Sequence, residues 1–206
     1  NAAIEDNVGI GSGAGVALTT GTKCVIIGKD AAGGATTSDN CVVIGEGTCA
    51  GTMTGNGNVV VGQAAGAALA AGADNVVLGQ SAGSALAGGT QSVAIGTDAL
   101  NVVASGSDNV AIGHQALTAQ NAGIEDNVGI GSGAGVALTT GTGCVIIGKD
   151  AAAGATTSDQ CVIIGASTCA ATLVGNDNIV IGHSAGSAMA AATRTVAIGT
   201  DALNVV

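Results

Sequence analysis

The hydrophobic pattern of this chain comes in short, evenly spaced bursts. A small polar or thiol residue is followed by Val, a variable apolar residue, Ile and Gly, and then by a mixed stretch leading to the next burst. The first copies are Asn7-Val8-Gly9-Ile10-Gly11, Cys24-Val25-Ile26-Ile27-Gly28 and Cys41-Val42-Val43-Ile44-Gly45. Further copies start at Asn58, Asn75, Ser92, Asn109, Asn127, Cys144, Cys161, Asn178 and Thr195, which makes twelve units. Successive starts are 17 residues apart, except that Asn109 to Asn127 is 18. One loop between Leu117 and Asp126 therefore holds a single extra residue. Val-x-Ile has the period of two that marks a strand, and β-branched residues favour strands. A 17-residue helical unit is opposed by the β-branched run and the glycines. The expected fold is all-β: a parallel β-solenoid, or β-roll, of about twelve 17-residue coils. At about 4.8 Å per coil it would be a rod roughly 55–60 Å long.

Each position in the unit has an expected role. Position two is Val in eleven copies and Ile179 in the twelfth; position four is Ile in ten copies, Val61 and Leu78 in the others. These two are expected to face the coil interior. Position five is Gly throughout: Gly11, Gly28, Gly45, Gly62, Gly79, Gly96, Gly113, Gly131, Gly148, Gly165, Gly182 and Gly199. Such a position suits a tight corner or a close backbone approach. Position eight is Ala in ten copies and Thr48 or Thr168 in two, small enough for the returning chain to lie close. Most units carry another aliphatic residue four or five places later (Leu18, Met53, Leu69, Leu86, Val103, Leu173, Met189). Each unit reads as strand, turn, short strand, turn. Position one is Asn, Ser, Thr or Cys, and its side chains are expected to form a hydrogen-bonded ladder along the rod. Position three is never polar. If it faces outward it forms a long apolar strip, which burial against identical chains would cover.

A longer repeat overlies the short one. Residues 121 to 152 nearly copy residues 1 to 32, and the run Ile95 to Val103 returns as Ile198 to Val206. The first match is offset by 120 residues and the last by 103, so the second block has lost one 17-residue unit. Residues 1–206 read as one repeat domain with a duplication into 1–120 and 121–206. Loss of a whole unit is tolerated when each unit touches only its neighbours. The array is expected to extend beyond both ends of this sequence. Its first residue is Asn1, as expected of a processed or excised product.

Composition narrows the picture. The chain has no Phe, Trp, Tyr or Pro and contains 37 Gly. A narrow coil has room for Val, Ile and Ala, and Pro would remove a ladder N–H. Collagen is excluded, since Gly lacks a period of three and Pro is absent. The net charge is −10 with only four basic residues, Lys23, Lys29, Lys149 and Arg194. Without a basic cluster, neither nucleic acid nor an anionic membrane surface is an expected partner. The Ala-rich stretch Ala64 to Ala73 is far shorter than the about 20 residues of a membrane span.

The unit Asn/Ser-Val-x-Ile-Gly-x-x-Ala resembles the head repeats of trimeric autotransporter adhesins. The likeness is clearest in Ser92-Val93-Ala94-Ile95-Gly96-Thr97-Asp98-Ala99 and from Thr195 to Ala202. Asn109 to Leu117 is similar to repeats in fibre and tail-spike proteins of phages and large viruses. The resemblance covers essentially the whole chain. It implies a left-handed parallel β-roll, three chains side by side, and a role in attachment at a bacterial or virion surface. This sequence departs from the family in its longer period, its six Cys, and the lack of a visible neck, stalk or anchor.

Cys24 and Cys41 hold position one of adjacent units, as do Cys144 and Cys161. Stacked Cα atoms about 4.8 Å apart fall within disulfide range. Two readings fit: inter-coil disulfides, or reduced cysteines serving as small ladder residues. Cys49 and Cys169 sit at position nine without a stacked Cys and are either free or paired across chains. No Cys-x-x-Cys or neighbouring His suggests zinc. His114 and His183 both follow the corner Gly and read as exposed turn residues, although a coil-borne His is the base in hexapeptide-repeat acyltransferases. Gly11-Ser12-Gly13-Ala14-Gly15 and its copy from Gly131 imitate a phosphate loop but lack its Lys. Asp6, Asp74, Asp108, Asp126 and Asp177 flank position one, read as a solvated acidic edge, and lack the pattern of calcium rolls. Thr19-Thr20, Thr36-Thr37 and Thr139-Thr140 do not recur coil after coil, as an ice-matching row would require. The expectation is a structural or adhesive segment of an extracellular, cell-surface or virion-surface fibre. It has no catalytic activity, cofactor or metal. Its partners are identical chains, as a homotrimer or longer filament, and a surface receptor that the sequence does not name. The alternative is an ice-binding or self-assembling filament of β-solenoid form.

Overall fold

In the computed structural model, each Val-x-Ile segment is a three-residue strand, from β1 (Val8–Ile10) and β2 (Val25–Ile27) to β11 (Ile179–Ile181) and β12 (Val196–Ile198). The structure describes residues 5–102, 104–118, 124–171 and 173–204. Val103 lies outside the described residues, as do 119–123 within the lengthened loop. The twelve strands form one sheet, in sequence order, every pair parallel. The register sets equivalent residues side by side: Val25 on Val42, Ile26 on Val43, Ile27 on Ile44. The chain is a β-solenoid with one 17-residue unit per turn and no helix among the described residues. The long coil keeps the register too, with Val110 on Val128.

The extra residue can be placed from the hydrogen bonds. In other coils an Asn or Cys at position one bonds a carbonyl 14 residues on, as Asn127 does with Gly141. Asn109 instead reaches Ile124, 15 residues on. Leu117 N–H donates to Ala134 O, 17 residues on, where Cys49 N–H meets Ala65 O after 16. The insertion therefore falls between Leu117 and Ile124.

The expected second short strand does not form. After the strand the chain makes two consecutive turns, closed for example by Ala65 N–H to Gly62 O and Leu69 N–H to Gly66 O. The reason is backbone handedness. Besides Gly at position five, positions seven, nine and seventeen all take positive φ, as in Asp98 (57°), Leu100 (49°) and Asp108 (58°). Each left-handed residue turns the chain, so no extended run survives. Coils still bond there, as in Gly66 N–H to Ala82 O at 2.9 Å.

The corner Gly is required twice over. Gly113 has φ 132°, a region essentially closed to other residues. A Cβ on it would also lie 2.6 Å from the carbonyl of Gly131 in the next coil. The other corner glycines share this conformation, with Gly11 at 129° and Gly182 at 140°.

The core reverses the expected facing of the strand. Position three points inward: Val43, Val60, Val77, Ala94, Ala111 and Val180 are fully buried. Positions two and four point outward and are half-buried along the inner coils. The cause is position one. Its side chain is held inside by hydrogen bonds, and a period of two then carries position three inside with it. Alanines of position eight and the aliphatics of position twelve or thirteen, such as Met53, Leu69, Leu86 and Leu173, complete the interior.

Candidate functional site

Two features of the molecule stand out: an outward apolar face and an inward polar and thiol ladder. The face follows directly from the inverted strand. Val and Ile of positions two and four form two parallel columns on the outside of a twelve-stranded sheet. Stacking within each column leaves these side chains partly exposed along the inner coils. The end coils lack a neighbour and expose more, with Ile10 at 58% and Ile198 at 66%. The strip is about 50 Å long and about 10 Å wide at ordinary strand spacings, an area on the order of 500 Å². The largest apolar patch on a typical monomer is about 300–600 Å² and is often functional. The expected outward strip therefore exists, but it is built from positions two and four rather than from position three.

The ladder runs inside. Asn75 shows its full pattern: Nδ2 donates across the coil to Gly89 O at 2.8 Å and along the rod to Asn58 Oδ1 at 3.2 Å. Its Oδ1 accepts from the backbone N–H of Ser92, 2.9 Å away. Thus the amide ladder is only partly side chain to side chain. Its rungs are mostly an Oδ1 accepting from the next coil's backbone, as at Asn58 with Asn75 N–H and Asn127 with Cys144 N–H. Among the described residues, no buried side-chain N or O lacks a partner.

All six cysteines are free thiols and all are buried. Cys24 and Cys41 hold position one of adjacent coils, as do Cys144 and Cys161, and all four side chains are buried. Each also donates across the coil in place of an Asn amide: Cys24 Sγ to Ser38 O at 3.2 Å, Cys144 Sγ to Ser158 O at 3.1 Å. The stacked partner thiol holds Cys24 down to about 7 and pushes Cys41 up. In the second pair it is Cys161 that is held down to about 7 by its Cys144 partner. Cys49 and Cys169 sit inside the coil with no exposed surface, and burial pushes each up to about 12. Neither offers a sulfur to a second chain.

The remaining expected residues lie apart from one another. His114 and His183 are exposed, and His183 Nδ1 has only Ser184 Oγ nearby at 3.2 Å. Asp6, Asp74, Asp108, Asp126 and Asp177 are exposed at position seventeen, all with φ of 58–60°. Asp tolerates the left-handed region, so the corner accounts for the acidic edge. Among the described residues, no group of three or more His, Cys, Asp or Glu could hold a metal ion. The glycines from Gly11 to Gly15 form the ordinary turn of their coil. No helix is long and apolar enough to cross a membrane among the described residues.

The chain matches no family model, no curated protein and no solved structure.

Proposed function

We propose that this chain is a structural segment of an extracellular surface fibre, built from identical chains packed side by side, three to a rod. The observation that carries this reading is the double column of Val and Ile along the outer sheet face. Among the described residues no buried side-chain N or O lacks a partner, and the apolar face is a large feature that a lone chain leaves uncovered. A strip only three residues wide suits a closed apolar core at the centre of three parallel chains. The resemblance to adhesin and viral fibre repeats points the same way, and it is the source of the left-handed, trimeric form.

In this reading the protein acts by presentation. The rod sets loops at fixed heights along its length and does no bond-making. A shaft or spacer fits better than a receptor-contacting tip. Binding surfaces draw on Tyr and Trp, and the chain has none. The test is solution mass by light scattering, together with negative-stain electron microscopy. A particle of three times the 18.9 kDa chain, seen as a rod, supports the reading. A stable monomer at micromolar concentration overturns it.

A further inference from the structure

We propose that the stacked pairs Cys24–Cys41 and Cys144–Cys161 are redox staples, which a small-molecule disulfide oxidises to bonds joining neighbouring coils. Cys49 and Cys169 remain thiols in this scheme. The inference is independent of the fibre reading.

The placement is set by the register. Cys24 and Cys41 immediately precede the paired Val25 and Val42; Cys144 and Cys161 immediately precede the paired Val145 and Val162. Parallel in-register neighbours sit about 4.8 Å apart. A disulfide spans Cα distances of roughly 4.4–6.8 Å. Both side chains of each pair turn into the coil, where Cys24 and Cys41 donate to Ser38 O and Gly55 O, and Cys144 and Cys161 to Ser158 O and Gly175 O. No backbone movement of a coil's width is needed to join them.

The same two sites are where the ladder is weakest. At other rungs an amide or hydroxyl oxygen accepts the next coil's N–H, at 2.8 Å from Cys24 N to Asn7 Oδ1 and 2.9 Å from Cys144 N to Asn127 Oδ1. Sulfur is a poor acceptor. Asn178 N–H reaches Cys161 Sγ only at 3.5 Å. A covalent link would reinforce the coil contact where its hydrogen bonding is thinnest.

The third thiol of each cluster has no equivalent partner. Position nine beside Cys49 is Ala32 on one side and Gly66 on the other; beside Cys169 it is Ala152 and Gly186. A Cβ on Gly66 would lie 3.3 Å from Cys49 Sγ, so that sulfur faces a glycine in the next coil.

The chemistry balances with glutathione disulfide as the oxidant. A cysteine thiolate attacks one sulfur of the reagent, the S–S bond breaks, and a glutathione thiolate leaves. The second cysteine attacks the protein sulfur of the mixed disulfide and expels the second glutathione. Two protein thiols lose two electrons, one reagent disulfide gains them, and the two protons pass to the departing thiolates. Because the pairs are sealed in the coil, exchange occurs while coils dock or open, and the closed bridge then lies out of reach of reductant.

The test uses the full chain, refolded with glutathione disulfide or with dithiothreitol. Each sample is then unfolded in acid guanidinium, brought to pH 8 with excess iodoacetamide, and weighed intact. The reduced chain takes six adducts. The oxidised chain is expected to take two, which peptide mapping places on Cys49 and Cys169, and to melt at a higher temperature. Six adducts after oxidation, a bridge that includes Cys49 or Cys169, or an unchanged melting temperature each overturns the proposal. The double variant Cys41→Ser, Cys161→Ser is the control for specificity, because Ser92 already occupies position one of a folded coil. It is expected to form no internal disulfide; a bridge there would overturn the assignment.

Discussion

Leu117 occupies the space that a side chain on Gly129 would need: a Cβ at Gly129 would lie 2.6 Å from Leu117 Cγ. The two residues belong to neighbouring coils, at positions nine and three. Within single coils, too, the two positions trade size. Where position three is Ala (Ala94, Ala111, Ala197), position nine is Leu (Leu100, Leu117, Leu203). Where position three is Val, position nine is Gly in three coils (Val60 with Gly66, Val77 with Gly83, Val180 with Gly186) and Cys49 in the fourth, beside Val43. A coil this narrow has a fixed interior volume, and the two faces share it. Leu117→Ala should therefore cost about 2–5 kcal/mol, as buried Leu truncations do. Gly129→Val should be destabilising through overpacking, by about 1–3 kcal/mol. The double variant should be less destabilised than the sum of the two, with a coupling of about 0.5–3 kcal/mol. Chemical denaturation of the four proteins closes the cycle. Strict additivity would show that the two positions do not share space.

The period, the strand, the corner Gly and the order of the coils were legible in the sequence, because each leaves a mark every 17 residues. The facing of the strand was not. Val and Ile at positions two and four look like core residues by hydrophobicity alone. What decides the facing is the hydrogen bonding of position one, for example Asn58 Nδ2 to Gly72 O. The useful signal was size variation: position three ranges from Gly to Ile because it trades volume with position nine, while the outward Val and Ile stay uniform. The left-handed residues at positions seven and nine were also hidden. Leu100 and Cys49 do not advertise positive φ, and it is the coil-to-coil hydrogen bonds that hold them there.

The inverted facing gives a direct test within one strand. Val93→Asp places a charge on the outer face; Ala94→Asp places it in the core, where Ala94 is fully buried. Val93→Asp should leave circular dichroism unchanged and, on the proposed packing of identical chains through this face, shift sedimentation towards monomer. Ala94→Asp should prevent folding, since an unpaired buried carboxylate has no compensating partner. Equal loss of structure in both would contradict the assigned facing.

The corner column separates two kinds of glycine. Gly113→Ala meets both a φ of 132° and the Gly131 carbonyl, so a loss of at least about 3 kcal/mol is expected. Gly88 has no heavy atom within 4 Å of an added Cβ and needs no positive φ. Gly88→Ala should be neutral or stabilising by up to about 1 kcal/mol through the unfolded chain. Thermal melts of the two variants should move apart, and a matched pair of melting temperatures would remove the steric account of the corner.

The amide ladder predicts a pH-dependent defect. In Asn75→Asp, the carboxylate still accepts from Ser92 N–H but turns an oxygen towards the Gly89 carbonyl that Nδ2 now satisfies. The variant should be markedly destabilised at pH 7. Burial and the facing carbonyl raise the folded pKa of the new Asp, so stability should recover as pH falls and the carboxyl regains a donor. Asn75→Ser should cost less, since Ser92 Oγ fills the same rung for Asn109 N–H at 3.2 Å. Urea midpoints at pH 7 and pH 4 read both effects; a pH-independent Asp defect would mean the donor is not what matters.

The buried position-nine thiols set a limit at high pH. Cys49 and Cys169 are pushed up to about 12 by burial, whereas an unfolded thiol ionises near its ordinary value of about 9. The folded chain therefore keeps these protons when the unfolded chain has released them. Their contribution is intact below pH 9, declines as pH rises from 9, and is fully lost by about 12. In that window each thiol should lower stability by about 1.4 kcal/mol per pH unit. Cys49→Ala with Cys169→Ala removes the effect, and Ala32 and Ala152 show that the position accepts Ala in a buried coil. Between pH 8 and pH 10.5 the reduced parent should lose more stability than this double variant. An equal loss in both would mean that the two thiolates are solvated and that the coil interior is open to water.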